Sequence, residues 1–121
     1  MKCIIDLIED MREQISNDES YSVAAGLLKE DIEDSSKLIY TGEAMLNRFY
    51  IDDTQRKLRF KIDGSDTKIT VKELISSVLI LGLDMMMYEL KMDVNKQYKN
   101  MEIVGFGKND EQKRYILFIK I

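Results

Sequence analysis

The chain opens with apolar residues at helical spacing. Ile4, Ile8, Met11 and Ile15 recur three or four positions apart, which places them on one side of an α-helix. Acidic residues fill the opposite side. The pattern therefore predicts an amphipathic helix over residues 2–16.

Two patterns overlap in residues 21–34, where the apolar side chains fit both the alternation of a strand and the spacing of a helix. Gly26 weakens a helix, so we favour a strand that runs through Leu28, with the helix as the open alternative. Residues 38–40 then predict a short second strand, and residues 41–43 a turn or a bulge.

A β-hairpin is predicted next. Apolar runs at residues 49–51 and 58–62 flank the polar residues 52–55, as in two antiparallel strands joined by a turn. In the second run apolar and basic residues alternate, which predicts one buried and one solvated face. The basic positions are Lys57, Arg59 and Lys61.

The start of a second helix is marked at Thr70. This residue and Glu73 have the spacing of a capping box, and Ile69 and Leu74 occupy the positions of a hydrophobic staple. Gly82 is the predicted C-terminal stop. The apolar face of the predicted helix consists of Val71, Leu74, Ile75, Val78, Leu79 and Leu81.

After Gly82 the apolar period changes from helical spacing to alternation. Residues 86–95 predict a strand, and residues 101–107 and 113–121 predict a second hairpin. Residues 115–119 are apolar on both faces, which indicates a central strand.

The complete order is approximately α-β-β-β-β-α-β-β-β. It predicts an α+β fold of two layers, with a mainly antiparallel sheet and two helices on one face. The chain length of 121 residues predicts one compact domain over residues 1–121.

Charge is distributed unevenly along this chain. The net charge is −4 and the pI about 4.9, which disfavours a general nucleic-acid or membrane-surface binder. The first 34 residues carry three basic and ten acidic residues, whereas the other 87 carry 15 basic and 12 acidic residues. Acidic residues of the first helix either steer a basic partner or form a solvated face that keeps the protein soluble.

Several chemistries are excluded or disfavoured by residue types. The chain has no histidine and a single cysteine, Cys3, so histidine-dependent nucleophilic and metal sites and an internal disulfide are absent. Residues 105–108 lack the spacing of a phosphate-binding loop, and residues 63–74 lack the glycine and glutamate of a calcium loop. We expect no catalytic residue, cofactor or metal.

No secretory signal or bilayer-spanning segment is visible in the sequence. We therefore expect a cytoplasmic protein with no membrane contact.

A methionine cluster is the clearest candidate for a binding surface. Met85, Met86 and Met87 cannot all face one side of a strand, and flexible methionine side chains suit surfaces that accept varied apolar partners. Core filling at a helix–strand junction also explains the cluster. Ile80 favours the interpretation as a binding surface, because at about 100° per residue it falls on the otherwise polar face of the predicted helix.

We therefore expect a non-enzymatic protein-interaction module, a small acidic adaptor or chaperone-like protein that forms a homodimer. Small acidic secretion chaperones of bacteria are similar in size, charge and helix–sheet order, without a shared motif. The expected partner-binding residues are Met85, Met86, Met87, Ile80, Asp6, Asp10 and Glu13.

Two alternatives from other classes stay open. One is a nucleic-acid binder that uses the stripe of Lys57, Arg59 and Lys61, whose binding weakens steeply with salt. The other is a small enzyme without histidine, which requires a deep pocket with perturbed titratable groups.

Overall fold

The computed structural model describes all 121 residues. Two helices and seven strands follow one another along the chain, and a 3₁₀ turn, Met85–Met87, precedes the fifth strand. The elements are α1 (Ile4–Ile15), β1 (Ser22–Glu30), β2 (Leu38–Met45), β3 (Arg48–Asp52), β4 (Lys57–Lys61), α2 (Val71–Val78), β5 (Glu89–Asp93), β6 (Met101–Asn109) and β7 (Arg114–Lys120).

The seven strands form one sheet in the order β2-β1-β7-β6-β5-β4-β3. Two neighbouring pairs, β1 with β7 and β4 with β5, are parallel, and the other four pairs are antiparallel. The protein therefore has the α+β fold with a mainly antiparallel sheet that the sequence predicts.

A bend at Leu46 and Asn47 carries the chain from one edge of the sheet to the other. The Leu46 N–H donates to the Val23 carbonyl of β1, and the Asn47 N–H donates to the Lys61 carbonyl of β4. The buried Asn47 side chain also donates to the Ser65 and Thr67 carbonyls. The sheet is consequently strongly curved, because β2 and β3 are its two outermost strands and only two residues separate them.

Both helices pack on the same face of this curved sheet. Their buried side chains, among them Leu7 and Met11 of α1 and Leu74 of α2, belong to a single cluster of 21 buried residues. The strands contribute Phe60, Leu90, Tyr115 and other buried residues to the same cluster. The apolar periodicity of the sequence thus corresponds to one continuous core.

Most of the predicted elements are confirmed. The ambiguous stretch forms a strand rather than a helix, with β1 at Ser22–Glu30, and both predicted hairpins form. The predicted bulge is also present, because the β1–β2 register shifts at Leu27 and Leu28, opposite Thr41 and Gly42. The apolar run of residues 115–119 lies in β7, between β1 and β6.

Two predictions around Gly82 are wrong. Helix α2 ends at Val78, with Leu79 as its C-cap, so Leu79 and Ile80 are not on a helix face. The next strand begins at Glu89 rather than at residue 86.

The physical reason is a series of tight turns that continues from the end of α2. Backbone hydrogen bonds join residues three apart: Leu81 to Val78, Met85 to Gly82, and Tyr88 to Met85. Turns of this kind present neither a helical nor an alternating pattern, so the alternation of apolar residues before Glu89 was misleading.

Candidate functional site

The connection between α2 and β5 exposes large apolar side chains, and we call it the 79–87 segment. Four of its nine residues are strongly exposed: Leu79 (61%), Ile80 (83%), Leu83 (91%) and Met87 (62%). Single exposed apolar residues are ordinary on protein surfaces, but a local concentration is typical of an interaction site. Ile80 and Met87 were predicted from the sequence as binding residues, whereas Leu79 and Leu83 were not.

The methionine cluster is divided between the core and the surface. Met85 and Met86 are half-buried and pack against the core cluster, whereas Met87 is exposed. The 3₁₀ turn that contains them packs against α1, and the Ile4 N–H at the start of that helix donates to the Tyr88 carbonyl. The turn is therefore anchored by two of its methionines and presents the third to solvent.

The acidic residues of α1 have mainly structural partners. The Asp6 carboxylate, in the third position of α1, accepts the Cys3 N–H at 2.7 Å and so caps the start of the helix. Asp10 accepts hydrogen bonds from the Gln14 side chain at 2.6 Å and from the Tyr115 hydroxyl at 2.5 Å. Of the three predicted steering residues, Glu13 is exposed, whereas Asp6 and Asp10 are partly buried.

The acidic face and the methionine cluster do not share one concave site. A shallow groove along α1 contains the acidic residues and is closed by Phe106 of β6, and none of the methionines takes part. Burial, followed by the hydrogen bond to Asp10, raises the pKa of the Tyr115 hydroxyl. Asp10 therefore stabilises the fold by accepting a hydrogen bond from the buried Tyr115.

Acidic neighbours neutralise much of the basic stripe on β4. Lys57 lies 2.5 Å from a Glu89 carboxylate oxygen, and Arg59 lies 2.9 Å from Asp52. The Lys61 ammonium lies over the Tyr50 ring, 5.8 Å from its centre. Charge pairing across neighbouring strands, rather than a free cationic surface, accounts for most of this stripe.

A cleft on the outer face of the sheet was not anticipated. It is lined in part by Tyr40 and Phe118, whose rings meet edge to face at 6.1 Å. Glu43 also lines it, with Oε2 at 2.8 Å from Arg114 and Oε1 buried without a hydrogen-bond partner. Burial, and then the Glu43 carboxylate, raises the pKa of the Tyr40 hydroxyl.

A signal for this cleft exists in the sequence but requires the strand register. The Phe118 ring lies close to backbone that has no Cβ, at Gly26 of β1 and at Gly107 of β6. A glycine within a strand can mark such a close approach. The approaching residue cannot be named from one sequence, since it comes from a distant part of the chain.

None of the family models, curated proteins or solved structures compared with this chain matches it. Neither helix is long and apolar enough to cross a membrane.

Proposed function

We propose that the protein is a non-enzymatic interaction module of the cytoplasm that binds an apolar segment of a partner protein through the 79–87 segment. The observation that carries the proposal is the exposure of Leu79, Ile80, Leu83 and Met87 within nine residues. Burial of such side chains is the main favourable term in protein association.

The local structure supports binding to varied apolar partners. The segment is held at both ends, by the core residue Val78 and by the half-buried Met85 and Met86. Its exposed side chains therefore start from a defined backbone, which lowers the ordering cost of binding. The Met87 side chain is flexible and can adapt to different apolar surfaces.

Glu13 and the other exposed acidic side chains of α1 contribute steering in this proposal. The groove along α1 contains four acidic residues and one lysine, so its field attracts a basic partner and raises the association rate. Asp6 and Asp10 add to that field while they hold the fold.

Binding to nucleic acid is the second candidate, and the paired stripe weighs against it. Lys57 and Arg59 have side chains that are 23% and 13% exposed, and each is already within 3 Å of a carboxylate oxygen. Contact with phosphates would have to compete with those carboxylates.

The test compares partner capture by three forms of the protein. Ile80→Ser combined with Leu83→Ser removes exposed apolar surface, so we expect the fold to persist and the captured partners to be lost. Ile32→Ser is the matched control, because Ile32 lies outside the segment and, at 96%, is even more exposed than Ile80 and Leu83. For an identified partner, the double variant should weaken affinity by at least about tenfold.

Capture is measured from a lysate treated with nuclease and is read by mass spectrometry. Equal capture by all three forms contradicts the proposal. Loss of the partners of the unaltered protein upon nuclease treatment moves the function to the basic stripe.

A further inference from the structure

The outer edge of β2 is open. This strand is the first in the sheet order and has β1 as its sole neighbour. Leu38, Ile39 and Tyr40 are each about half exposed, at 47%, 48% and 49%. Because successive side chains point to opposite faces of a strand, this part of the edge is apolar on both faces.

The backbone groups that face outward follow from the register with β1. The Asp31 N–H donates to the Lys37 carbonyl, so these two residues form a hydrogen-bonded pair. Hydrogen-bonded and non-bonded pairs alternate in an antiparallel ladder, which turns the Ile39 backbone toward β1. The N–H and C=O groups of Leu38 and Tyr40 therefore point away from the sheet.

An independent hydrogen bond agrees with this assignment. Leu28 lies opposite Tyr40 in the register, and its carbonyl accepts the Ile121 N–H on the β7 side. Leu28 thus directs its backbone groups away from Tyr40. The bulge at Thr41 and Gly42 then interrupts the edge, so the open stretch consists of residues 38–40.

The two edges of the sheet differ in protection. Proteins commonly protect exposed edges with charges, short strands or bulges. On β3, Arg48 pairs with Asp63 at 2.6 Å and Asp52 pairs with Arg59. Residues 38–42 of β2 contain no charged side chain, so this edge has no electrostatic barrier to pairing with another strand.

We propose that β2 pairs antiparallel with β2 of a second copy of this chain, about a two-fold axis at Ile39. In this register Leu38 lies opposite Tyr40 of the second copy, and Tyr40 lies opposite its Leu38. All outward N–H and C=O groups of Leu38 and Tyr40 then form hydrogen bonds, two donors and two acceptors from each copy.

A second copy fits this edge because the edge is complementary to itself. In an isologous contact, residue i of one copy meets residue j of the other, and residue j of the first meets residue i of the second. The pairing of Leu38 with Tyr40 satisfies this requirement and places an aliphatic–aromatic pair on one face. On the other face Ile39 meets Ile39. The Tyr40 ring is supported from its own sheet by Phe118.

Charge selects the antiparallel arrangement. The β1–β2 loop is acidic, with Asp31, Glu33 and Asp34 next to Lys37. Antiparallel strands direct the two loops to opposite ends of the pair, whereas parallel strands would bring like charges together. The proposal deepens the expected homodimer and does not depend on binding by the 79–87 segment.

Sedimentation from about 1 µM to about 1 mM is the first test, because this range covers weak association. We expect the native chain to form dimers. Ile39→Lys places two lysines opposite each other across the axis, and like charges in that position oppose pairing. It should raise the dissociation constant by at least about tenfold.

Val104→Lys is the matched control, because Val104 is 45% exposed and lies on β6, an interior strand of the sheet. It should leave dimerisation unchanged. A native chain that stays monomeric over the whole range overturns the proposal, and so do equal effects of the two lysines.

A disulfide trap tests the register itself. Ile39 and its mate form a non-hydrogen-bonded pair, with Cα atoms about 4.5 Å apart, which a disulfide can span. Ile39→Cys should therefore oxidise to a covalent dimer at least about ten times faster than Ile32→Cys, whose positions are far apart in the dimer. The native Cys3 is buried in both variants.

The trap also separates this proposal from the proposed function. Equal rates for the two cysteine variants overturn the register. If the Ile80→Ser and Leu83→Ser changes abolish association while Ile39→Lys does not, the dimer uses the 79–87 segment and the β2 proposal is wrong. The opposite result supports the β2 interface and leaves partner binding to its own experiment.

Discussion

Phe118 shows how a missing Cβ shapes the outer face of the sheet. A Cβ at Gly26 would lie 2.5 Å from Phe118 Cδ1 and 2.7 Å from Ile116 Cγ2, and one at Gly107 would lie 2.6 Å from Phe118 Cε2. These distances are shorter than the non-bonded contacts that carbon atoms make in proteins. Gly26 and Gly107 are therefore required for the position of the ring that supports Tyr40.

We expect Gly26→Ala to destabilise the fold by about 1–3 kcal/mol, the cost of overpacking a close contact. Gly105→Ala is the matched control, because its Cβ would lie 4.0 Å from Phe118 Cδ2, an ordinary contact, and it should be close to neutral. Urea unfolding measures both. Equal losses would mean that the close approach of Phe118 does not set the cost.

Helix α1 begins beside β5, and its cap is supplied by a residue that we also expect to steer partners. Asp6→Ala removes the acceptor for the Cys3 N–H, so it should cost about 1 kcal/mol of unfolding free energy. Glu13→Ala is the control, because this residue is exposed and its loss should change stability by less than about 0.5 kcal/mol. Thermal unfolding distinguishes the two.

Both changes should slow the association of a basic partner, since each removes one acidic charge from the groove. If Asp6→Ala leaves stability unchanged, the cap contributes nothing measurable. If neither change alters the association rate once a partner is known, the acidic face has no steering role.

Elements were predictable where the local pattern and the tertiary packing agree. The Thr70 cap and its Glu73 partner are present, with the Glu73 N–H donating to Thr70 Oγ1 at 3.1 Å, because a cap depends on residues that are close in sequence. The segment after Val78 was mispredicted because its turns depend on anchoring to α1 and the core, which periodicity does not report.

The candidate sites were less predictable than the elements. Ile80 was singled out for an incorrect reason, since it lies beyond the helix, and its exposure follows from the early end of α2. The open edge at residues 38–40 depends on the strand order, which joins β1 to the C-terminal strand β7. A single sequence contains no direct record of such distant pairings.

Two groups with altered pKa values join neighbouring elements: Glu89 of β5 contacts Lys57 of β4, and Tyr115 of β7 bonds to Asp10 of α1. Burial alone would raise the pKa of Glu89, but its hydrogen bonds with Lys57 and Lys91 outweigh this and lower it. Tyr115 shows the reverse case, with a pKa raised by burial and by Asp10. The chain has no histidine that would titrate between these two classes of group.

These directions determine how stability depends on pH. A lowered pKa in the folded state adds stability above the carboxyl pKa of the unfolded chain, about 4.3 for glutamate, and this stability is lost as the pH falls through the folded value. A raised tyrosine pKa adds stability that is fully present below about pH 10 and is lost as the pH rises through the folded value. We therefore expect a plateau between about pH 5 and pH 8.

Tyr115→Phe tests the alkaline side of this profile. The ring and its packing remain, while the ionisable hydroxyl and its hydrogen bond to Asp10 are removed, so we expect a loss of about 1 kcal/mol at pH 7. Above about pH 10 the Tyr115 hydroxyl ionises in the unfolded chain but stays neutral in the folded protein, which lowers the unfolding free energy of the native protein. The variant has no ionisable hydroxyl at this position and does not lose this free energy. Its unfolding free energy, measured in urea at each pH, should therefore approach and then exceed that of the native protein. Tyr50→Phe is the control, because Tyr50 is exposed. A difference in unfolding free energy between the native protein and Tyr115→Phe that stays constant from pH 7 to pH 11 would show that Tyr115 does not determine the alkaline limit of stability.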